Sequence, residues 1–135
     1  MSKNLLLVFT RNPALGKVKT RLAKTVGDET ALEIYKFLLE KTREVTLEVT
    51  SDKAIYYSVK IREHDIWDRN NYQKHQQVGE DLGFRMQHAF KKSFDAGYQK
   101  VMIIGSDLYD LTTKNIEKAF KELNNNDIVI GPAED

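Results

Sequence analysis

The sequence predicts an α/β domain, a mostly parallel Rossmann-like sheet with helices on both faces. Three observations carry this reading. Residues 5–9 and 101–104 are unbroken apolar runs of strand length, the pattern of strands buried on both sides. Helix-period stretches alternate with strand-like ones, which calls for crossovers and a parallel sheet. A chain of 135 residues, 41% hydrophobic and 30% charged, suits one soluble globular domain, residues 1–135.

The first strand, residues 5–9, runs into a loop over 10–19 that holds Pro13 and Gly16. Asp28 and Glu29 complement the dipole of a helix start. Behind them Ala31, Ile34, Tyr35, Leu38, Leu39 and Val45 recur on one helical face and read as core. Residues 54–61, rich in aromatic and β-branched types, form a second strand. Residues 62–74 are polar and irregular, with Trp67 as an anchor, and a short strand ends near Val78. Asp81 suits an N-cap for a helix presenting Leu82, Met86, Ala89, Phe90 and Phe94, which Gly97 stops. After the strand over 101–104, Thr112 or Thr113 caps a helix with Ile116, Ala119, Phe120 and Leu123 on its buried face. Asn124, Asn125 and Asn126 turn the chain into a last strand over 128–130. Right-handed crossovers are expected, and ligands in such sheets bind outside the carboxyl ends of the strands, near a topological switch point.

Composition excludes several classes of function. With no cysteine there are no disulfides, thiolate metal sites or thiol nucleophiles, and a reducing, cytoplasmic setting is the expectation. No stretch approaches the length of a membrane span, and the apolar run at 5–9 is too short for a signal peptide. His64, His75 and His88 lack metal-ligand spacing and are assigned to the surface, and no nucleophile elbow supports a Ser/His/Asp site. The net charge of +1 hides an asymmetry. Residues 1–27 hold six of the 21 cations and none of the 20 acids, leaving 15 cations against 20 acids elsewhere. An anionic partner near the N-terminus is implied.

Three stretches could carry chemistry. In the loop after the first strand, which opens at Arg11, Gly16 permits a tight turn, Lys17 and Lys19 supply point charges, and Arg21 can grip a phosphate through paired hydrogen bonds. It is not a Walker A motif, since Arg11 stands in place of its first glycine and Val18 follows Lys17. Read without a family pattern, the loop would serve equally as a solvated basic segment or a contact for RNA phosphates. Asp107, at the end of the strand over 101–104, could hold a divalent cation that bridges phosphates, with Asp110 near it, although Asp after a strand is as often a cap or Asx-turn. In the third stretch Gln77 could read a base edge or sugar hydroxyl, and Gly79 and Gly83 allow close backbone approach. The plainer reading there is a capped helix start with Arg85 solvated.

Four ordered stretches together resemble one family. Phe9-Thr10-Arg11-Asn12-Pro13 through Arg21-Leu22, then Gln77-x-Gly79-x-Asp81-Leu82-Gly83-x-Arg85-Met86, then Gly105-Ser106-Asp107, then Gly131-Pro132-Ala133-x-Asp135, look like the bacterial DUF2064 proteins, regarded as GT-A-fold glycosyltransferases. The resemblance implies a nucleotide-diphosphosugar transferase fold, with nucleotide phosphates against Arg11, Gly16, Lys17, Lys19 and Arg21. It implies Mg2+ or Mn2+ on Asp107, catalytic roles for Asp107 and Lys17, and Gln77, Gly79 and Asp81 near the base or sugar. The expected partner is a nucleotide or nucleotide-sugar, not a nucleic acid.

Two departures stand out. Tyr109 replaces a usual proline, and the chain ends at Asp135 where the family continues with Gly-Gly-Tyr-Tyr, so the C-terminal third of the domain is expected to be missing. In a GT-A sheet a later strand would insert beside residues 101–104, with 128–130 outside it. Without that strand, either 128–130 docks on the vacancy or two chains pair their exposed edges, and a homo-oligomer is the expectation. The resulting functional expectation is a metal-assisted, nucleotide-sugar-dependent glycosyltransferase. The alternatives are a nucleotidyltransferase that releases pyrophosphate and a non-catalytic nucleotide-binding or oligomerising fragment.

Overall fold

The computed structural model describes residues 3–12, 16–17, 19–106, 110–123 and the backbone of 127–130. In chain order the elements are β1 (Asn4–Thr10), α1 (Thr20–Val26), α2 (Asp28–Leu47), β2 (Asp52–Tyr57), β3 (Gln73–Gln76), α3 (Leu82–Asp95), β4 (Lys100–Gly105), α4 (Thr113–Glu122) and β5 (Asp127–Ile130). One sheet of order β3-β2-β1-β4-β5 holds all five strands, and every neighbouring pair is parallel. The strand order reverses between β1 and β4. From their carboxyl ends the chain steps away in opposite directions along the sheet, which opens a crevice between them.

Residues 5–9 of β1 are all apolar because both faces of the strand are covered. Leu6 and Val8 pack with Tyr35 and Leu39 of α2 and with Ile116 and Phe120 of α4. Leu5, Leu7 and Phe9 point the other way, toward Ala89 of α3. The registers Val8–Ile55 and Val8–Ile104 align β1 with its two neighbours, so alternate residues of all three strands share the same layers. Each such side chain, when fully buried, contributes about 1.5–3 kcal/mol by leaving water. The caps follow the expected chemistry: Asp81 Oδ1 accepts the Phe84 amide at 2.9 Å, and Thr112 Oγ1 accepts that of Asn115 at 3.1 Å. Gly97, with φ of 103°, turns the chain out of α3.

The segment between β2 and β3 is irregular but firmly held. Trp67 is buried edge-on to Tyr72, their ring centres 5.2 Å apart. The Lys74 ammonium, fully buried on β3, lies 3.0 Å from Asp65 Oδ1, while the Tyr57 hydroxyl donates to Asp65 Oδ2 at 2.6 Å. Burial, together with that carboxylate, pushes the Tyr57 phenol up.

Five expectations need correction. An additional helix, α1, precedes α2; it buries no residue, so it carried no apolar period to detect. β2 ends at Tyr57 and not at Ile61, because the Val59 and Lys60 amides leave the ladder to donate to Asn12 Oδ1. The crossovers are not all of one hand. The α2 and α3 crossovers step in opposite directions on opposite faces and share a hand, whereas α4 lies on the α2 face yet steps the other way, which reverses its hand. β5 docks directly on β4, so the vacancy expected beside residues 101–104 is filled and the sheet edge is β5. Finally, His75 is not a freely solvated surface residue but is half-buried against the Tyr56 ring. The turn expected at 124–126 and the side chains of β5 lie outside the described residues.

Candidate functional site

At the switch point the carboxyl ends of β1 and β4 form the floor of a cleft of about 1140 Å3. Among the described residues its lining includes Arg11, Lys17, Lys19, Arg21, Lys24, Arg62 and Arg85, against a single acid, Asp81. That carboxylate is already engaged as the cap of α3. Cations gathered in a concave site reinforce one another's field toward an anion.

The floor is organised by one hydroxyl. Tyr35 Oη, on the buried face of α2, accepts the Arg11 amide at 2.9 Å and lies 3.0 Å from the Arg11 carbonyl, to which it can donate. It also sits 3.3 Å from Thr10 Oγ1 and 3.1 Å from Ser106 Oγ. The Ser106 carbonyl accepts in turn from Thr42 Oγ1 at 2.9 Å. Two side chains of α2 thus tie the end of β1 to the end of β4. Asn12 performs a similar task on the other flank. Its Oδ1 accepts the Val59 and Lys60 amides and its Nδ2 donates to the Lys60 carbonyl at 3.0 Å, locking the first loop to the chain leaving β2.

The structure gathers Arg11, Lys17, Lys19, Arg21, Gln77 and Asp81 around this one cleft. Gly16 adopts φ of 75° in the turn beside Lys17, and Lys19 takes a left-handed conformation at the start of α1. Gly79 serves the scaffold: with φ of 145°, a Cβ there would stand 2.8 Å from the Arg85 nitrogen. Gln77 is buried, and its Nε2 donates to the Tyr56 carbonyl at 2.9 Å and more weakly to that of Thr10. Its Oε1 accepts from Arg85 Nη1 at 3.2 Å, while Arg85 Nε donates to the Gly79 carbonyl at 3.0 Å. Arg85 is therefore half-buried and bonded, not solvated. Asp107 lies outside the described residues; the chain leads toward it from the pinned Ser106, and Asp110 is exposed. Among the described residues no group of three His, Asp or Glu side chains could hold a metal.

Residue-by-residue reading missed Lys24, Arg62 and the roles of Tyr35 and Asn12. One signal for Arg62 was available: a parallel sheet delivers whatever follows each strand to the same edge.

With this geometry in place, comparison with known proteins bears on identity. The profile of DUF2064, "Uncharacterized protein conserved in bacteria", matches residues 39–135, well over half of the chain. The chain belongs to the DUF2064 family. The DUF2064 match begins within α2, so the cationic loop lies outside it. No curated protein matches the sequence. The crystal structure of a "putative nucleotide-diphospho-sugar transferase" from Desulfovibrio desulfuricans G20 is similar at a TM-score of 0.82 and 32% identity, over 90% of this chain. This DUF2064 chain spans 55% of the length of that protein. The likeness supports the GT-A-like, nucleotide-diphosphosugar-transferase architecture implied by the motifs. No helix among the described residues is long and apolar enough to cross a membrane.

Proposed function

We propose that this chain holds the diphosphate of a nucleotide-sugar in the cationic cleft and belongs to a glycosyl-transfer machinery. The observation that carries the reading is the cleft itself, with seven cations and one committed carboxylate among the described residues that line the switch point of a parallel sheet. Charge develops on the departing nucleoside diphosphate as the bond to the sugar breaks. Lys17, Lys19 and Arg21 are the groups to stabilise it, because charges fixed in advance cost no reorganisation at that moment. Arg11, its backbone held at both ends by Tyr35, borders the cleft with a guanidinium suited to a second, paired phosphate contact.

A divalent ion, Mg2+ or Mn2+, would rest on Asp107, as the family resemblance implies, with phosphate oxygens and water completing its shell. Bound there, the ion would neutralise charge on the leaving diphosphate.

The same density of cations suits a triphosphate, which keeps nucleotidyl transfer as a second reading. A thermal-shift panel of nucleoside triphosphates, UDP-sugars and GDP-sugars, each with Mg2+ and Mn2+, separates the two. A ligand at about 100 times its dissociation constant adds about 2.7 kcal/mol of stability. Selective stabilisation by nucleotide-sugars supports glycosyl transfer. Selective stabilisation by triphosphates, with pyrophosphate released on turnover, supports the rival. No response to any compound contradicts both.

A further inference from the structure

The segment that brings Arg62 to the cleft has no regular structure, yet a buried cation holds it. Lys74 lies on β3 with its ammonium fully buried, and the binding of a diphosphate does not call on it directly. An ammonium has three protons to donate. All three find acceptors within residues 62–65: the Arg62 carbonyl at 2.5 Å, Asp65 Oδ1 at 3.0 Å and the Glu63 carbonyl at 3.3 Å. The Tyr57 hydroxyl also stands 3.3 Å from the Arg62 carbonyl, but its one proton goes to Asp65 Oδ2 at 2.6 Å. The Arg62 carbonyl therefore depends on Lys74. Just upstream, the Asn12 carboxamide holds the Val59 and Lys60 amides and the Lys60 carbonyl. The backbone that carries Arg62 is thus pinned before it and at it.

Stability alone is a poor account of such a cation. Taking an ammonium out of water costs much of what its partners return, and apolar side chains of similar volume often serve as well. What Lys74 does fix is position. Arg62 is exposed and borders the cationic cleft, as Arg11 does. Arg43 spends its guanidinium on Glu40, Arg69 on Glu63, and Arg85 on Gly79 and Gln77. That of Arg62 meets no such partner among the described residues. We propose that Arg62 contacts the diphosphate and that Lys74 is its positioning residue, acting through the Arg62 carbonyl. The proposal rests on the reading that the cleft binds the diphosphate, and it extends the anion site from the loop after β1 to the segment after β2.

Inorganic pyrophosphate is titrated by calorimetry against the wild-type chain, Arg62→Ala, Lys74→Met and the two changes combined. Arg62→Ala should bind it roughly ten- to a hundredfold more weakly, the range for hydrogen bonds to charged groups. Lys74→Met keeps the length of the side chain but donates nothing, and it should weaken binding by no more than that factor. In the Arg62→Ala background it should cost nothing further, whereas in the Lys17→Ala background it should cost its full factor. A lysine that merely supported the fold would not give that split. Should Lys74→Met not fold, Lys74→Met/Asp65→Leu/Tyr57→Phe replaces the whole cluster by apolar side chains and faces the same comparison. Wild-type affinity after loss of the ammonium, or an equal loss with and without Arg62, overturns the positioning role. Wild-type affinity in Arg62→Ala, with Lys17→Ala weakened, overturns the Arg62 contact and leaves the diphosphate reading standing. If pyrophosphate fails to bind the wild-type chain, both readings fall.

Discussion

Tyr35→Phe removes one oxygen from the floor of the cleft and leaves the ring, and hence the packing of α2 on β1, in place. That oxygen is the acceptor for the Arg11 amide at 2.9 Å and the donor available to the Arg11 carbonyl at 3.0 Å. Tyr35 is only 3% exposed, so water cannot freely replace it. An orphaned amide costs about 1–3 kcal/mol and a lost donated bond about 1, for a total of about 2–4 kcal/mol. Thr10 and Ser106 lose a shared partner as well but can turn toward other acceptors. Urea unfolding measures the effect directly: the midpoint should fall with no change in slope, because the surface exposed on unfolding is the same. Nucleotide affinity should fall with it, since Arg11 and the end of β4 are no longer tied to one point. A loss of stability under about 0.5 kcal/mol, the size of a typical surface substitution, would refute the claim that this hydroxyl organises the floor.

Two further outcomes follow from the same structure. Gly79→Ala places a Cβ 2.8 Å from the Arg85 nitrogen at φ of 145°, so it should destabilise the chain by about 1–3 kcal/mol and displace the start of α3, read as a lower thermal midpoint. The pH dependence of stability should carry a signature of His75. Burial holds its pKa below the ordinary 6.5, and the nearby charges of Lys92 and Arg69 push the same way. Below 6.5 the unfolded chain takes up the proton before the folded one does, so the contribution is whole above that value and is lost as pH falls toward the folded pKa. His75→Phe keeps a ring on Tyr56 and should flatten that part of the melting-temperature profile; parallel profiles for the two proteins would contradict the assignment.

Much of the fold was legible because burial on both faces leaves an unmistakable trace. Residues 5–9 and 101–104 had no polar member, and they became the two strands that flank the switch point. The helix faces of α2, α3 and α4 were legible for the same reason: a buried stripe imposes its period. Where burial is absent, so is the signal. α1 buries nothing and was missed, and the end of β2 is set by the side chain of Asn12, forty-seven residues away from Val59, which no local pattern records. Lys74 was equally hidden, since a lysine in a polar strand reads as solvated until Asp65 is brought to it by the intervening segment.

The site divides along similar lines. The loop cations stood out through the asymmetry of charge in residues 1–27, a property of sequence alone. Arg62 and Arg85 reach the same cleft from β2 and from α3, and only the parallel arrangement of strand ends unites them with Arg11. Tyr35 read as one more member of an apolar stripe, and its ring is indeed core. The hydroxyl at its tip does separate work, because α2 crosses beneath both strand ends. Gln77 carried the opposite ambiguity: an amide beside a candidate ligand site suggests recognition, yet its hydrogen bonds bind β1 and β2 to Arg85.

The central claim, that the cleft at the β1–β4 switch point grips a nucleoside diphosphate, is tested most directly by titration calorimetry on the wild-type chain, Lys17→Ala and Arg21→Ala. Both side chains line the cleft from the loop and the first turn of α1. Hydrogen bonds to charged groups contribute about 1.5–3 kcal/mol each, so either variant should bind roughly ten- to a hundredfold more weakly than wild type. Affinity unchanged in both variants would contradict the placement of the diphosphate.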